Sequence, residues 1–143
     1  MAYTQRPFEV SYYAIHQWAD FPARMLMTVL IQALEQTGDW RAIVPMPTSV
    51  RGDHRVEIDQ LALVQDFLQK PSQLHLTFRV QLIKLPEHLV LGTRLFDVVE
   101  GTSTDDAYGG AVAANRAADT LLREVAGWLR GCVSDSHESG CAR

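Results

Sequence analysis

Long apolar runs, a basic surplus and a cysteine framework are all missing from this sequence, and each absence removes a class of protein. No stretch approaches the roughly 20 apolar residues that a membrane-crossing helix needs. Residues Met1 to Val10 contain no apolar core of a secretory signal, so at face value the chain is expected to be soluble and cytoplasmic. Lys and Arg number 13 against 17 Asp and Glu, a formal charge of −4. Nucleic-acid binders usually carry a basic patch or stripe, so this balance argues against one. Only Cys132 and Cys141 are present, and their spacing fits neither a four-ligand zinc site nor a Cys-x-x-Cys redox pair. The favoured reading is two free thiols beside a frayed end; the alternative is a disulfide formed in an oxidising compartment. Such a bridge would close a short loop over Val133 to Gly140, rich in Ser, Asp, Glu and Gly. If that tail is disordered in both states, the bridge adds little stability.

What is there suits one globular domain. The 143 residues are 47% hydrophobic and 21% charged, enough to build a self-sufficient core. Phe8 to Tyr13, aromatic and β-branched, reads as a strand. Asp20 as N-cap and Pro22 in the first turn open a helix over Phe21–Thr37. Its apolar pairs Met25/Leu26, Val29/Leu30 and Ala33/Leu34 recur at helical spacing, and Gly38 supplies a stop. Trp40 to Val44 reads as a second strand, ended by Pro45 and Pro47.

Alternation then takes over. Val56 and Ile58 alternate with Glu57 and Asp59, whereas Leu61 and Leu63 fall on the opposite parity, which predicts a bulge near Gln60. Leu74, Leu76, Phe78, Val80 and Leu82 alternate with His75, Thr77, Arg79 and Gln81, a strand with one buried and one wet face. Short turns at Lys70-Pro71-Ser72 and Pro86-Glu87-His88 make this an antiparallel meander ending with Leu89 to Val99. Ser103 or Thr104 then caps a last helix with Val112, Ala114, Ala118, Leu121, Leu122, Val125, Trp128 and Leu129 on its apolar face. The expected fold is thus a single α/β domain over residues 1–131 with a flexible tail over 132–143. Its order is strand, helix, strand, three-strand meander, helix. The first strand–helix–strand unit is expected to be a right-handed crossover with parallel strands, giving a mixed, largely antiparallel five-stranded sheet.

The search for chemistry returns little. There is no phosphate-cradling loop, since Gly109-Gly110 lacks the lysine and hydroxyl residue that follow in such loops. There is no Gly-x-Ser-x-Gly elbow. His16, His54, His75, His88 and His137 are scattered and read as surface residues. Asp53-His54-Arg55-Val56-Glu57 is split between faces by alternation, and Asp105-Asp106 is explained by the helix dipole. Trp18, Trp40 and Trp128 sit where apolar faces should meet and read as packing. No catalytic residue, metal or cofactor is expected. One stretch resists the bland reading: Leu63, Val64, Phe67 and Leu68 are apolar on both faces of a strand end. Something must cover them, whether the chain's own loops, a lipid or a partner chain.

Several phrases resemble a known family. Tyr13 to Trp18 leading into the helix, Trp40-Arg41-Ala42-Ile43-Val44, Val56-Glu57-Ile58 and Glu124-Val125-Ala126-Gly127-Trp128-Leu129 are similar to the auxiliary components of ABC-type transport systems. These are small lipoproteins that accompany MCE-domain lipid or solvent transporters. The resemblance spans about Phe8 to Leu129 and rests on fold-defining patterns, not catalytic ones. It implies a non-enzymatic periplasmic accessory, anchored to the outer membrane by an N-terminal lipidated cysteine. The expected partners are an MCE-domain protein or ABC transporter subunits, and a lipid. It also implies a fold like that of anticodon-binding domains, though the acidic balance argues against RNA as a ligand. The lipidated cysteine is not in this sequence, so the chain is expected to be the soluble part of a longer protein, the alternative being a family member without the lipid anchor. The competing reading is a soluble small-ligand-binding domain or an enzyme of unknown chemistry.

Overall fold

The computed structural model describes residues 2–4, 11–12, 22–68, 70–134 and 141, with side chains from residue 24 onward. Trp18, His16, His137 and the Asp20 cap lie outside the described residues, as does most of the expected first strand. The element order is β1 (Ala2–Thr4), β2 (Ser11–Tyr12), α1 (Pro22–Thr37), β3 (His54–Asp66), β4 (Gln73–Lys84), β5 (Leu89–Gly101) and α2 (Ala107–Ser134).

Three long antiparallel strands, β3, β4 and β5, form the body of the sheet. The two short segments extend it in the order β2-β1-β3-β4-β5. The expected five-stranded sheet is met only in part: among the described residues its body is three antiparallel strands, and β1 and β2 are segments of 3 and 2 residues. Trp40–Val44 is irregular, not a strand. A strand persists only when it can pair, and Pro45 and Pro47 remove the donors that would extend it. Its apolar residues are used differently: Trp40 and Ile43 pack, half-buried, against the core. The parallel pairing consequently joins different partners, with Ala2, Tyr3 and Thr4 alongside Val64, Gln65 and Asp66.

The bulge sits where the parity change places it. Asp59 pairs with Arg79 and Ala62 with Thr77, leaving Gln60 and Leu61 opposite Phe78. Gln60 takes the left-handed conformation (φ 55°) that lets the strand carry the extra residue. Val56, Ile58, Leu61 and Leu63 thereby all reach the core side, each partly buried against it. On β4, Leu74, Phe78, Val80 and Leu82 are fully buried and Leu76 nearly so. At the start of the hairpin into β5, His88 also has a positive φ (59°).

Helix α2 packs on β4 and β5, and α1 packs on α2. Leu26, Leu30 and Leu34 form the buried stripe of α1, and Gly38 leaves the helix with φ 72°. The buried face of α2 centres on Ala113, Ala117, Leu121, Val125 and Leu129, one step round from the expected Val112 and Ala118. Its cap is Asp106, not Ser103 or Thr104. Asp106 Oδ1 accepts from Gly109 N–H at 2.8 Å and from the Thr104 hydroxyl at 2.6 Å. Gly109 allows this closeness, because a Cβ there would collide with Thr104.

The hydrogen bonds from Thr104 and then from Gly109 hold the Asp106 carboxyl below the ordinary aspartate pKa. A carboxyl with a lowered folded pKa stabilises the protein above the unfolded value and ceases to as pH falls through the folded one. Urea midpoints measured from neutral toward acid pH should therefore fall less steeply for Asp106→Asn than for the parent. Parallel curves would remove Asp106 from the acid response.

Candidate functional site

Three places concentrate polar or exposed apolar side chains, and geometry separates their roles. The first is buried. Gln65, with no exposed surface, donates through Nε2 to the Ser72 hydroxyl (3.2 Å) and to the Asp106 carbonyl (2.9 Å). Ser72 N–H donates to Asp105 Oδ1 at 2.6 Å, and both the N–H and hydroxyl of Thr102 donate to Ser72 O at 2.9 Å. This network ties the ends of β3 and β5 and the start of α2 to the β3–β4 turn. Gln65, Ser72 and Thr102 are buried and satisfy one another, with the exposed Asp105 and Asp106 closing the outer side, so the network is structural. Its only trace in the sequence is one glutamine, Gln65, on the core parity of β3.

The second place is a cleft of about 360 Å³ between α1 and α2, lined by Val29, Ala33, Asp39, Asp119, Arg123 and Arg130 among others. Arg123 pairs with Asp119 at 3.0 Å and Arg130 with Asp39 at 3.6 Å. These exposed pairs add little stability, yet they give the cleft walls alternating charge. Val29, Ala33, Leu122 and Ala126 make up the apolar part of the same lining.

The third place is the sheet face away from the helices, which no described element covers. Its cross-strand rows are Val64–His75–Val99, Ala62–Thr77–Asp97 and Asp59–Arg79–Leu95. Leu95 is 60% exposed and Val99 47%. Arg79 makes a bidentate pair with Asp59; that hydrogen bonding lowers the Asp59 pKa and raises that of Arg79. A shallow pit of about 320 Å³ is lined by Ala62, Val64, Asp66, His75 and Thr77. There His75 Nε2 lies 3.9 Å from Asp66 Oδ2. Among the described residues that nitrogen has no hydrogen-bond partner. No group of three or more His, Cys, Asp or Glu among the described residues could hold a metal ion.

The apolar stretch expected at the end of β3 is not one patch. Leu63 faces the core, Val64 looks onto the open sheet face, Phe67 is half-buried and Leu68 is 49% exposed. Strand β1 pairs along Val64 to Asp66, so the chain's own backbone covers this edge. What sequence reasoning missed is β5. Four of its residues, Leu89, Val90, Leu95 and Val99, are among the exposed large hydrophobics.

The cysteines also sit differently from the favoured reading. Cys132 lies within α2 and is joined to Cys141 with a Cα–Cα distance of 4.5 Å. Cys141 N–H donates to Leu91 O at 2.9 Å, and a Cβ on Gly92 would meet both Cys141 and Trp128. The helix runs to Ser134, past the expected start of the tail at residue 132, and Cys141 is docked on β5.

Comparison with known proteins bears on these surfaces. No curated protein matches the chain. The fold is similar to the crystal structure of a Xanthomonas campestris protein of family DUF330, with a TM-score of 0.85 at 23% identity. The match covers 96% of this chain and 78% of that one. The family model for the ABC-type transport auxiliary lipoprotein component matches residues 1–126. That match spans most of the chain, and the chain belongs to the ABC-type transport auxiliary lipoprotein family.

Proposed function

We propose that this protein is a non-enzymatic accessory of an ABC transport system of the MCE lipid or solvent class, held at the outer membrane and working in the periplasm. It acts by binding a partner protein, an MCE-domain subunit or another transporter component, through the open face of its sheet. Family membership supports the transport role. The observation that carries the binding mode is the position of Leu95 and Val99, exposed on a face that no described element covers. Exposed apolar side chains grouped on one face favour a protein contact. The disulfide suits an oxidising envelope compartment, as the lipoprotein description of the family does. Among the described residues no helix is long and apolar enough to cross a membrane, which fits attachment by a lipid anchor. The likeness to anticodon-binding domains concerns fold only, and an enzyme would need the converging polar groups that Asp66 and His75 alone do not supply.

Affinity purification from the native envelope, read by mass spectrometry, tests this reading. Transporter subunits should accompany the parent protein and be lost with Leu95→Arg/Val99→Arg. Retention of the same subunits by that double variant would place the contact elsewhere.

A further inference from the structure

The outer edge of β5 is a hydrogen-bonding surface in its own right. Pairing with β4 is regular from Gly92 to Gly101. Just beyond it, Thr102 N–H donates to Ser72 O on the β4 side. Backbone groups alternate along an antiparallel strand, so those of Thr93, Leu95, Asp97 and Val99 point outward. Among the described residues no backbone group bonds to them. The same residues project their side chains onto the open sheet face, in the order Thr, apolar, acidic, apolar. Leu95 and Val99 are exposed, and Asp97, exposed between them, has no cationic partner among the described residues.

The chain itself already uses this edge once. Leu91 falls between Val90 and Gly92 without a β4 partner, and its carbonyl accepts from Cys141 N–H. This single backbone hydrogen bond is the kind that an added strand would make, and the next residues of β5 are open.

We infer that β5 accepts an extended segment of a partner protein as an added strand over Thr93–Val99, and that this segment presents apolar, basic and apolar side chains at alternate positions. The basic residue lies opposite Asp97, and the apolar ones lie against Leu95 and Val99. A second copy of this chain fits less well. Antiparallel self-pairing centred on Phe96, the middle of this stretch, would set each Asp97 against Leu95 and each Val99 against Thr93, so no basic residue would face Asp97 and the two apolar residues would not meet. In this sequence Leu121, Arg123 and Val125 have the required spacing, but they lie in α2. The inference rests on the reading of the protein as a partner-binding accessory and specifies how the partner is held.

The probe is a nine-residue peptide with valine, lysine and valine at alternate central positions between threonines, titrated against the full chain by fluorescence anisotropy. It should bind, and methylating its edge-facing amides should abolish binding. Asp97→Lys should weaken it roughly fivefold or more and should favour a peptide with glutamate in place of lysine. Because Asp97 is exposed, the variant should keep the parent's circular dichroism. Binding indifferent to both N-methylation and the charge swap would overturn the inference, as would no binding or concentration-dependent dimers that the peptide cannot displace. If peptide binding fails while transporter subunits still co-purify with the parent and not with the Leu95/Val99 double variant, strand addition falls and the accessory role stands.

Discussion

Phe78→Ala is expected to lower the unfolding free energy by about 3–5 kcal/mol, the usual cost of emptying a buried phenylalanine site. Phe78 is fully buried at the centre of β4. Its ring stacks on Phe96 of β5 with centroids 5.8 Å apart, and Phe96 meets Trp128 of α2 edge-on at 5.8 Å. The substitution removes the β4–β5 ring contact and leaves Phe96 held only from the α2 side by Trp128. Leu121, Val125 and Leu129 on α2 are close-packed and cannot collapse far into the space. Chemical denaturation measures the loss directly. Phe78→Leu, which retains most of the volume, should cost markedly less.

The second large effect is expected at the disulfide. Cys132→Ser/Cys141→Ser should reduce stability by about 2.5 kcal/mol on the chain-entropy relation for a loop of this size. The bridged residues are 9 apart in sequence. The expectation of little stabilisation assumed a tail disordered in both states. Docking of Cys141 on Leu91 makes the folded state ordered at both ends of the bridge, so the constraint acts on the unfolded chain. For a domain of this length the loss corresponds to a fall in Tm of roughly 5–10 °C. Scanning calorimetry with and without reductant checks it, and the double serine variant should no longer respond to reductant. Gly92→Val should imitate part of the loss, because its side chain would occupy the seat of Cys141 against Trp128.

These two sites also show what local sequence can and cannot convey. Phe78 was legible because β4 alternates cleanly, and the bulge at Gln60 was legible because the alternation changes parity there. The end of α1 was legible too, since Gly38 does what the chain locally requires. Trp40–Val44 has strand propensity, but whether an edge is free to pair with it is a property of the whole sheet. Strand β5 misled for another reason. Leu89-Val90-Leu91, Leu95-Phe96 and Val98-Val99 put apolar residues on both faces, so alternation could not say which would be covered. Only the register, with Phe96 opposite Phe78, turns Leu95 and Val99 to the open side. The seat of Cys141 depends on Gly92, far away in sequence, and on the bulge that frees the Leu91 carbonyl. Spacing between two cysteines carries none of that.

The proposed function assigns partner binding to the open sheet face. A photo-crosslinking residue placed at Leu95, and separately at Gln36 in the helix cleft, would test this in cells carrying the native transport system. Irradiation should link position 95 to a transporter subunit and leave position 36 without a protein adduct. Subunit adducts from position 36 alone, or only lipid adducts from position 95, would contradict it.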